Sequence, residues 1–294
     1  MQPRAKVSHG EWLSFTGHGD TYKSIVKPCT DYRAGSYYDE SVRAAQIIYE
    51  TADSPITCLY GGGSDGEYAV NCFLDAGVPF TVAILSYGKD FKWNGHDTQY
   101  AFEWCKKHNI EPVIVDLDLE DFVVSGRMLE VCEESQCCEF RMTSTMLGAS
   151  MIDGTVVMSN EPYVERHNGI WHWTEYERIN TYATWFDSRG IEGTSDFGSY
   201  TAEQVLAFLE EPYVQKLVAN ETQDKDSVPA KHVVYNQQHW EQVKRPKYTG
   251  WERFQRTELF ESLNIRQEMY KFADKYNGVV QIEYNDIVNI LKGT

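Results

Sequence analysis

The chain has 294 residues, of which 42% are hydrophobic, 24% charged and 14% aromatic, a balance that excludes disordered, collagen-like and low-complexity classes. Acidic residues outnumber basic ones 44 to 27, for a formal charge of −17. That average field repels a phosphate backbone, so no extended nucleic-acid groove is expected, and an anionic ligand must enter through a focused patch.

No run approaches the roughly 18 apolar residues of a membrane helix. The segment MQPRAKVSHGEW has no apolar leader core. Seven cysteines, odd in number and scattered, read as reduced thiols rather than a disulfide framework. A cytoplasmic protein with a small-molecule substrate and no membrane partner is expected, and a homodimer is compatible with this composition.

Residues 1–40 are rich in Gly, Tyr and Ser without a sustained period, and read as an irregular N-terminal extension. Ser41 is then the predicted cap of a helix with apolar positions Val42, Ala45, Ile48 and Tyr49. Ile56–Tyr60 is a short apolar run of buried-strand length. A helix is predicted from Glu67 to Ala76, stopped by Gly77, and a second strand over Val78–Leu85. A further helix, Asp97–His108, and a third strand, Pro112–Leu117, complete an alternation that implies a parallel α/β sheet with right-handed crossovers.

Farther along, the period predicts helices at Asp121–Glu134 and Cys138–Met151 and a fourth strand at Gly154–Ser159. Helices dominate after Thr201, at Thr201–Leu209, Trp251–Ala273 and Asn285–Leu291. The predicted organisation is an extension (1–40), an α/β domain (41–195) and a mostly helical C-terminal region (196–294).

The segment richest in chemistry is Gly61-Gly62-Gly63-Ser64-Asp65-Gly66, between the first strand and the helix after it. Glycines let successive N–H groups converge on an anion, and the helix start adds partial positive charge. A carboxylate among such donors suits a phosphate only when a cation bridges them, so Asp65 points to Mg²⁺. The segment has neither the Gly-Lys-Ser/Thr ending of a Walker loop nor the Gly-x-Gly-x-x-Gly spacing of a dinucleotide fold. A plain glycine turn is the alternative.

This segment resembles the pyrophosphate loop of the PP-loop (N-type) ATP pyrophosphatases, Ser-Gly-Gly-x-Asp-Ser, with Gly62, Gly63 and Asp65 matching and glycine at both flanking serine positions. Tyr87-Gly88, His96 before a helix, and Asp116 in a later strand are similar to the order in 7-cyano-7-deazaguanine synthases. They are also similar to asparagine synthase-like or phosphoadenylylsulfate reductase-like members from bacteriophages. The resemblance covers roughly residues 41–165. It implies a Rossmann-like parallel sheet of the adenine nucleotide alpha hydrolase kind, with ATP and Mg²⁺ at the carboxyl ends of the strands. Gly61, Gly62, Gly63, Ser64, Asp65 and Gly66 would then cradle pyrophosphate, and Asp65 would hold the metal. Ser86 and Tyr87 are the matches on the nucleotide side, and His96 is a candidate on the substrate side.

Glu161, after the fourth strand, is a candidate to bind metal or substrate, against an ordinary turn before Pro162. Arg166 and Arg178 are candidates to complement phosphate charge, against surface ion pairing. The basic cluster Lys244–Trp251 contains Arg245 and Lys247, to which the resemblance transfers a phosphate-reaching role; a solvated loop is the alternative. Cys132, Cys137 and Cys138 form no C-x-x-C pair and read as structural, and the Trp171-His172-Trp173 patch as core packing or a pocket wall. The function implied is ATP-dependent adenylation that forms a C–N bond on a small carboxylate-type substrate. A nucleotide-binding module with a regulatory or assembly role, and a sulfonucleotide-handling enzyme, are the alternatives.

Overall fold

The computed structural model describes residues 12–31, 35–220, 233–235, 240 and 249–294. The first described segment is an antiparallel hairpin, β1 (Leu13–Thr16) with β2 (Lys23–Val26), where the composition suggested irregular chain. An alternation follows of α1 (Tyr37–Thr51), β3 (Ile56–Leu59), α2 (Ser64–Asp75), β4 (Thr81–Tyr87), α3 (Gly95–His108) and β5 (Val113–Leu117). Next come α4 (Leu119–Val124), α5 (Arg127–Ser135), α6 (Phe140–Ala149) and β6 (Thr155–Val157). The chain then turns through a second hairpin, β7 (Tyr163–His167) and β8 (Ile170–Tyr176), into α7 (Glu177–Arg189) and the short β9 (Gly193–Thr194). The rest holds α8 (Ala202–Glu210), α9 (Pro212–Val218), α10 (Gly250–Phe254), α11 (Glu258–Ser262), α12 (Ile265–Tyr276), β10 (Val279–Glu283) and α13 (Tyr284–Lys292).

The central sheet is parallel, with strand order β5-β4-β3-β6-β9. β4 shows why its residues read as a continuous apolar run. Val82 and Ile84 pack into the core under α1, α2 and α8, while Ala83 and Leu85 face the opposite side. Both faces of the strand are covered, so alternation is lost and β-branched and aliphatic residues fill every position from Val82 to Leu85. The second face is closed by Val131 of α5, Met146 of α6, Trp185 of α7 and Phe254 of α10.

The sheet order reverses at β3: the chain adds β4 and β5 on one side, then returns to place β6 on the other. Such a reversal opens a crevice at the carboxyl ends of the two central strands. The Gly61–Gly66 loop and the Ser159–Glu161 turn both emerge there.

Helix starts differ from the predicted ones where the caps were misread. α1 begins at Tyr37, capped by Ser36, whose hydroxyl accepts from the Asp39 N–H while the Asp39 carboxylate accepts from the Ser36 N–H. Ser41 lies a turn inside, donating to the Tyr37 carbonyl. α2 begins at Ser64 rather than Glu67, which puts Asp65 and Gly66 in its first turn. The stretch 121–134 is divided by Gly126 at φ +81°, and 251–273 by Thr257, which caps α11, and Asn264 at φ +52°. The C-terminal region also contributes a strand. β10 pairs antiparallel with β8, joining the hairpin in a three-stranded sheet of order β10-β8-β7.

Candidate functional site

The crevice is a cleft of about 570 Å³, within the size range of small-molecule sites. Its floor is the end of the sheet, lined by Leu59 and by the largely buried Leu85 and Met158. Gly61, Gly63, Asp65 and Gly66 form one wall, and Asn160, Glu161 and Tyr163 a second. Thr249, Gly250 and Trp251 complete the lining from the C-terminal region.

The loop's shape follows from close backbone packing. Gly62 sits at φ +94°, and a Cβ there would stand 2.0 Å from the Asp97 carbonyl oxygen of α3. Nothing but glycine fits that contact. By contrast, Cβ atoms at Gly61 and Gly63 would meet nothing within 4 Å, because both residues face the cleft. Gly63 is the N-cap of α2 and offers no side chain, so the first N–H groups of a twelve-residue helix point toward the cleft without a capping hydroxyl. Gly66 has a different cause: a Cβ would lie 2.7 Å from Cδ2 of the buried Tyr60 ring. The strand-end aromatic fills the volume that a serine at position 66 would need.

Asp65 is half-buried, and its Oδ1 accepts from the Tyr235 hydroxyl at 3.1 Å. Tyr235 belongs to a stack with Tyr68 (centroids 4.2 Å apart) and Tyr37 (6.4 Å), all fully buried. Burial, with Asp65 and Glu161 carboxylates nearby, holds the Tyr235 phenol protonated far above its ordinary range. Asp65 is thus held from behind by a neutral donor. Glu161, 7% exposed, faces the same carboxylate-rich wall, and its charge helps to raise the Tyr163 phenol beyond the effect of burial. Deeper, burial pushes the Asp196 carboxyl up to about 7, and Glu175 well above the usual carboxylate range.

The lining also holds a cationic cluster. Glu139 lies just before α6 and accepts from Arg141 Nε at 2.8 Å and from Arg178 Nη1 at 2.7 Å, and all three residues line the cleft. The Arg178 guanidinium also lies over the Tyr176 ring, 4.4 Å from its centroid.

Of the sequence-predicted residues, Gly61, Gly63, Asp65, Gly66, Tyr87 and Glu161 come together around the cleft. Gly62 and Ser64 shape the same loop behind it. Ser86 is fully buried and its hydroxyl donates to the Gly88 carbonyl, a turn contact rather than a nucleotide contact. His96 lies off the cleft, within 3.2 Å of Arg253 and 3.5 Å of Asp97. Arg166 sits at the tip of the β7–β8 hairpin, bonded to the Gly169 carbonyl, away from the cleft lining. Arg245 and Lys247 lie outside the described residues. Trp171 and Trp173 are core residues, with Trp173 packed 6.2 Å from Trp12.

Sequence reasoning missed Asp97, Asn94, Glu139 and Arg141. Asn94 ties the end of β4 to α3 by donating to the Leu85 carbonyl and accepting from the Tyr87 N–H. The acidic–basic alternation Glu139-Phe140-Arg141 was the available signal for the cationic wall, and nothing local marks it as different from a surface ion pair. Among the described residues, no group of three or more His, Cys, Asp or Glu side chains is placed to hold a metal. A Mg²⁺ that arrives with phosphate oxygens and water needs one or two carboxylates, which Asp65 and Glu161 can provide. No described helix is long and apolar enough to cross a membrane. No protein-family model matches the chain, and no curated protein matches it.

Proposed function

We propose that the cleft binds ATP with Mg²⁺ and that the protein is an ATP-dependent adenylating enzyme of the PP-loop kind, on an adenine nucleotide alpha hydrolase-like fold. One observation carries this reading. The glycine loop, the uncapped start of α2, Asp65 and Glu161 converge where the order of a parallel sheet reverses. Backbone N–H groups at a helix start suit a pyrophosphate, and a carboxylate beside them suits a phosphate-bound cation.

The reaction fits what such a site can supply. A substrate carboxylate oxygen attacks the α-phosphorus, the bond to the bridging oxygen breaks, and pyrophosphate departs. Ammonia then attacks the acyl carbon, AMP leaves, and one proton is released. The Gly61–Gly66 backbone orients the departing pyrophosphate, and Mg²⁺ supplies charge neutralisation when bound. Tyr235 keeps the Asp65 carboxylate in place. The apolar floor, Leu59, Leu85 and Met158, offers a face for the adenine ring. Ammonia is supplied from solution or by a partner.

A binding module without turnover is the second reading, favoured by the glycines at 61 and 66, which remove two hydroxyls from the loop. Pyrophosphate release separates the two. With ATP, Mg²⁺, ammonium and a panel of small carboxylic acids, the enzyme reading expects acid-dependent pyrophosphate and AMP. Binding of ATP with no pyrophosphate from any acid favours the module, and sulfite release from a sulfonucleotide with a thiol reductant favours the sulfur reading.

A further inference from the structure

The cleft lining carries both signs of charge, and each cluster has a chemical meaning. The lining carries Asp65 and Glu161 together with the glycine loop, and Arg141 and Arg178, joined through Glu139. A carboxylate-lined wall suits a metal-bound phosphate chain. A guanidinium pair suits a carboxylate, whose two oxygens match the planar donor fork. Among the described cleft-lining residues, Arg141 and Arg178 are the sole cations, in a chain of formal charge −17.

Glu139 shows how such a group sits there. Its Oε2 takes the Arg141 Nε–H and its Oε1 the Arg178 Nη1–H, so one carboxylate bridges two guanidiniums. The described contacts use one N–H of each, and a guanidinium carries five. Two arginines and one glutamate leave a net positive charge on this wall. Tyr176 under Arg178 fixes the plane of its fork.

We propose that Arg141 and Arg178 form an anion subsite that receives a non-reacting carboxylate of the substrate, which is therefore a small dicarboxylate. Its second carboxylate is directed across the cleft to the glycine loop. Glu139 holds the pair in register while the subsite is empty and competes with the incoming carboxylate. The inference rests on the adenylation reading for the fate of the second carboxylate, but not for the subsite itself.

Two titrations by calorimetry test it, with succinate and with Mg-ATP, on wild type, Arg178→Gln and Glu139→Gln. Arg178→Gln is expected to weaken succinate about tenfold or more, and Mg-ATP far less. Glu139→Gln keeps the shape but removes the competing charge, and is expected to tighten succinate by about threefold or more. Opposite signs from two neighbouring substitutions cannot come from misfolding. Absence of succinate binding by wild type, or weakening in both variants, overturns the subsite. A larger loss of Mg-ATP than of succinate in Arg178→Gln also overturns it, because the arginines then serve the nucleotide phosphates. Failure of wild type to bind Mg-ATP while succinate behaves as stated refutes the nucleotide reading alone.

Discussion

The two walls of the cleft are built by different rules. The glycine-loop wall is local: strand, loop and helix start are consecutive in sequence, and residues 59–66 contribute Leu59, Gly61, Gly63, Asp65 and Gly66 to one surface. The cationic wall is assembled at long range. Glu139 and Arg141 come from the start of α6 and Arg178 from α7, positioned by a hairpin whose outer partner, β10, lies a hundred residues later in the chain. Local sites announce themselves through spacing, whereas long-range sites depend on packing that spacing does not record.

The largest effect is expected at Gly62. Gly62→Ala would place a Cβ against the Asp97 carbonyl at a φ that L-residues avoid, and a loss of about 3 kcal/mol or more is expected. Thermal denaturation should show Tm lowered by about 5–10 °C. An unchanged Tm would mean that the loop is not pinned to α3.

The other wall has its own pin. Glu177, at the start of α7 beside Arg178, is buried and accepts from the Gly19 N–H (2.8 Å), the Gly278 N–H (2.7 Å) and His18 Nδ1 (2.6 Å). It joins the N-terminal hairpin, the C-terminal segment and α7 through one carboxylate. Glu177→Ala leaves two N–H groups without their acceptor and is expected to cost about 2–4 kcal/mol, read by urea denaturation. Glu177→Gln should retain part of this, since its amide oxygen still accepts.

A third effect is pH dependence. Asp196 holds its proton to about pH 7 in the folded protein, above the range of an exposed carboxyl. The folded state therefore binds more protons than the unfolded one between about pH 4 and 7. Its contribution to stability is complete at the acid end and is lost as pH rises through 7. Glu175, raised for the same reason, acts in the same direction. Asp196→Asn should flatten the fall in Tm between pH 5 and 8. A fall of the same size in the variant would assign it to other groups.

The smallest expected effect concerns the two serine positions. Gly61→Ser has open space and an ordinary φ, so stability should stay within about 0.5 kcal/mol of wild type. Gly66→Ser meets the Tyr60 ring, and a loss of about 1–3 kcal/mol is expected. Equal effects of the two on Tm would contradict the distinction between a cleft-facing and a ring-facing glycine.

The parallel sheet was legible because its strands are short apolar runs separated by helical periods and by Gly77 and Asn109, both at positive φ. α1 was misplaced because Ser36 and Asp39 form their capping box in a stretch dominated by aromatics, which looked like extension. β7, β8 and β10 carried no clear alternation. β8 is buried at Trp171, Trp173, Thr174 and Glu175, so polar and apolar residues share its interior positions. The glycine loop and Glu161 were legible from their places after strands. Ser86 was not separable from Tyr87 by sequence, although one turns into the backbone and the other lines the cleft. Arg141 carried no local mark, because its role depends on Arg178 reaching the same carboxylate.

In the function proposed here a magnesium-bound nucleotide sits at the glycine loop through Asp65. Calorimetric titration of ATP, with and without Mg²⁺, on wild type and Asp65→Asn addresses it directly. The asparagine retains the shape and an acceptor for Tyr235, so the comparison reads charge. Magnesium-dependent binding that weakens about tenfold or more in the variant is the expected result. Equal affinity in both proteins, or no binding by folded wild type, would contradict it.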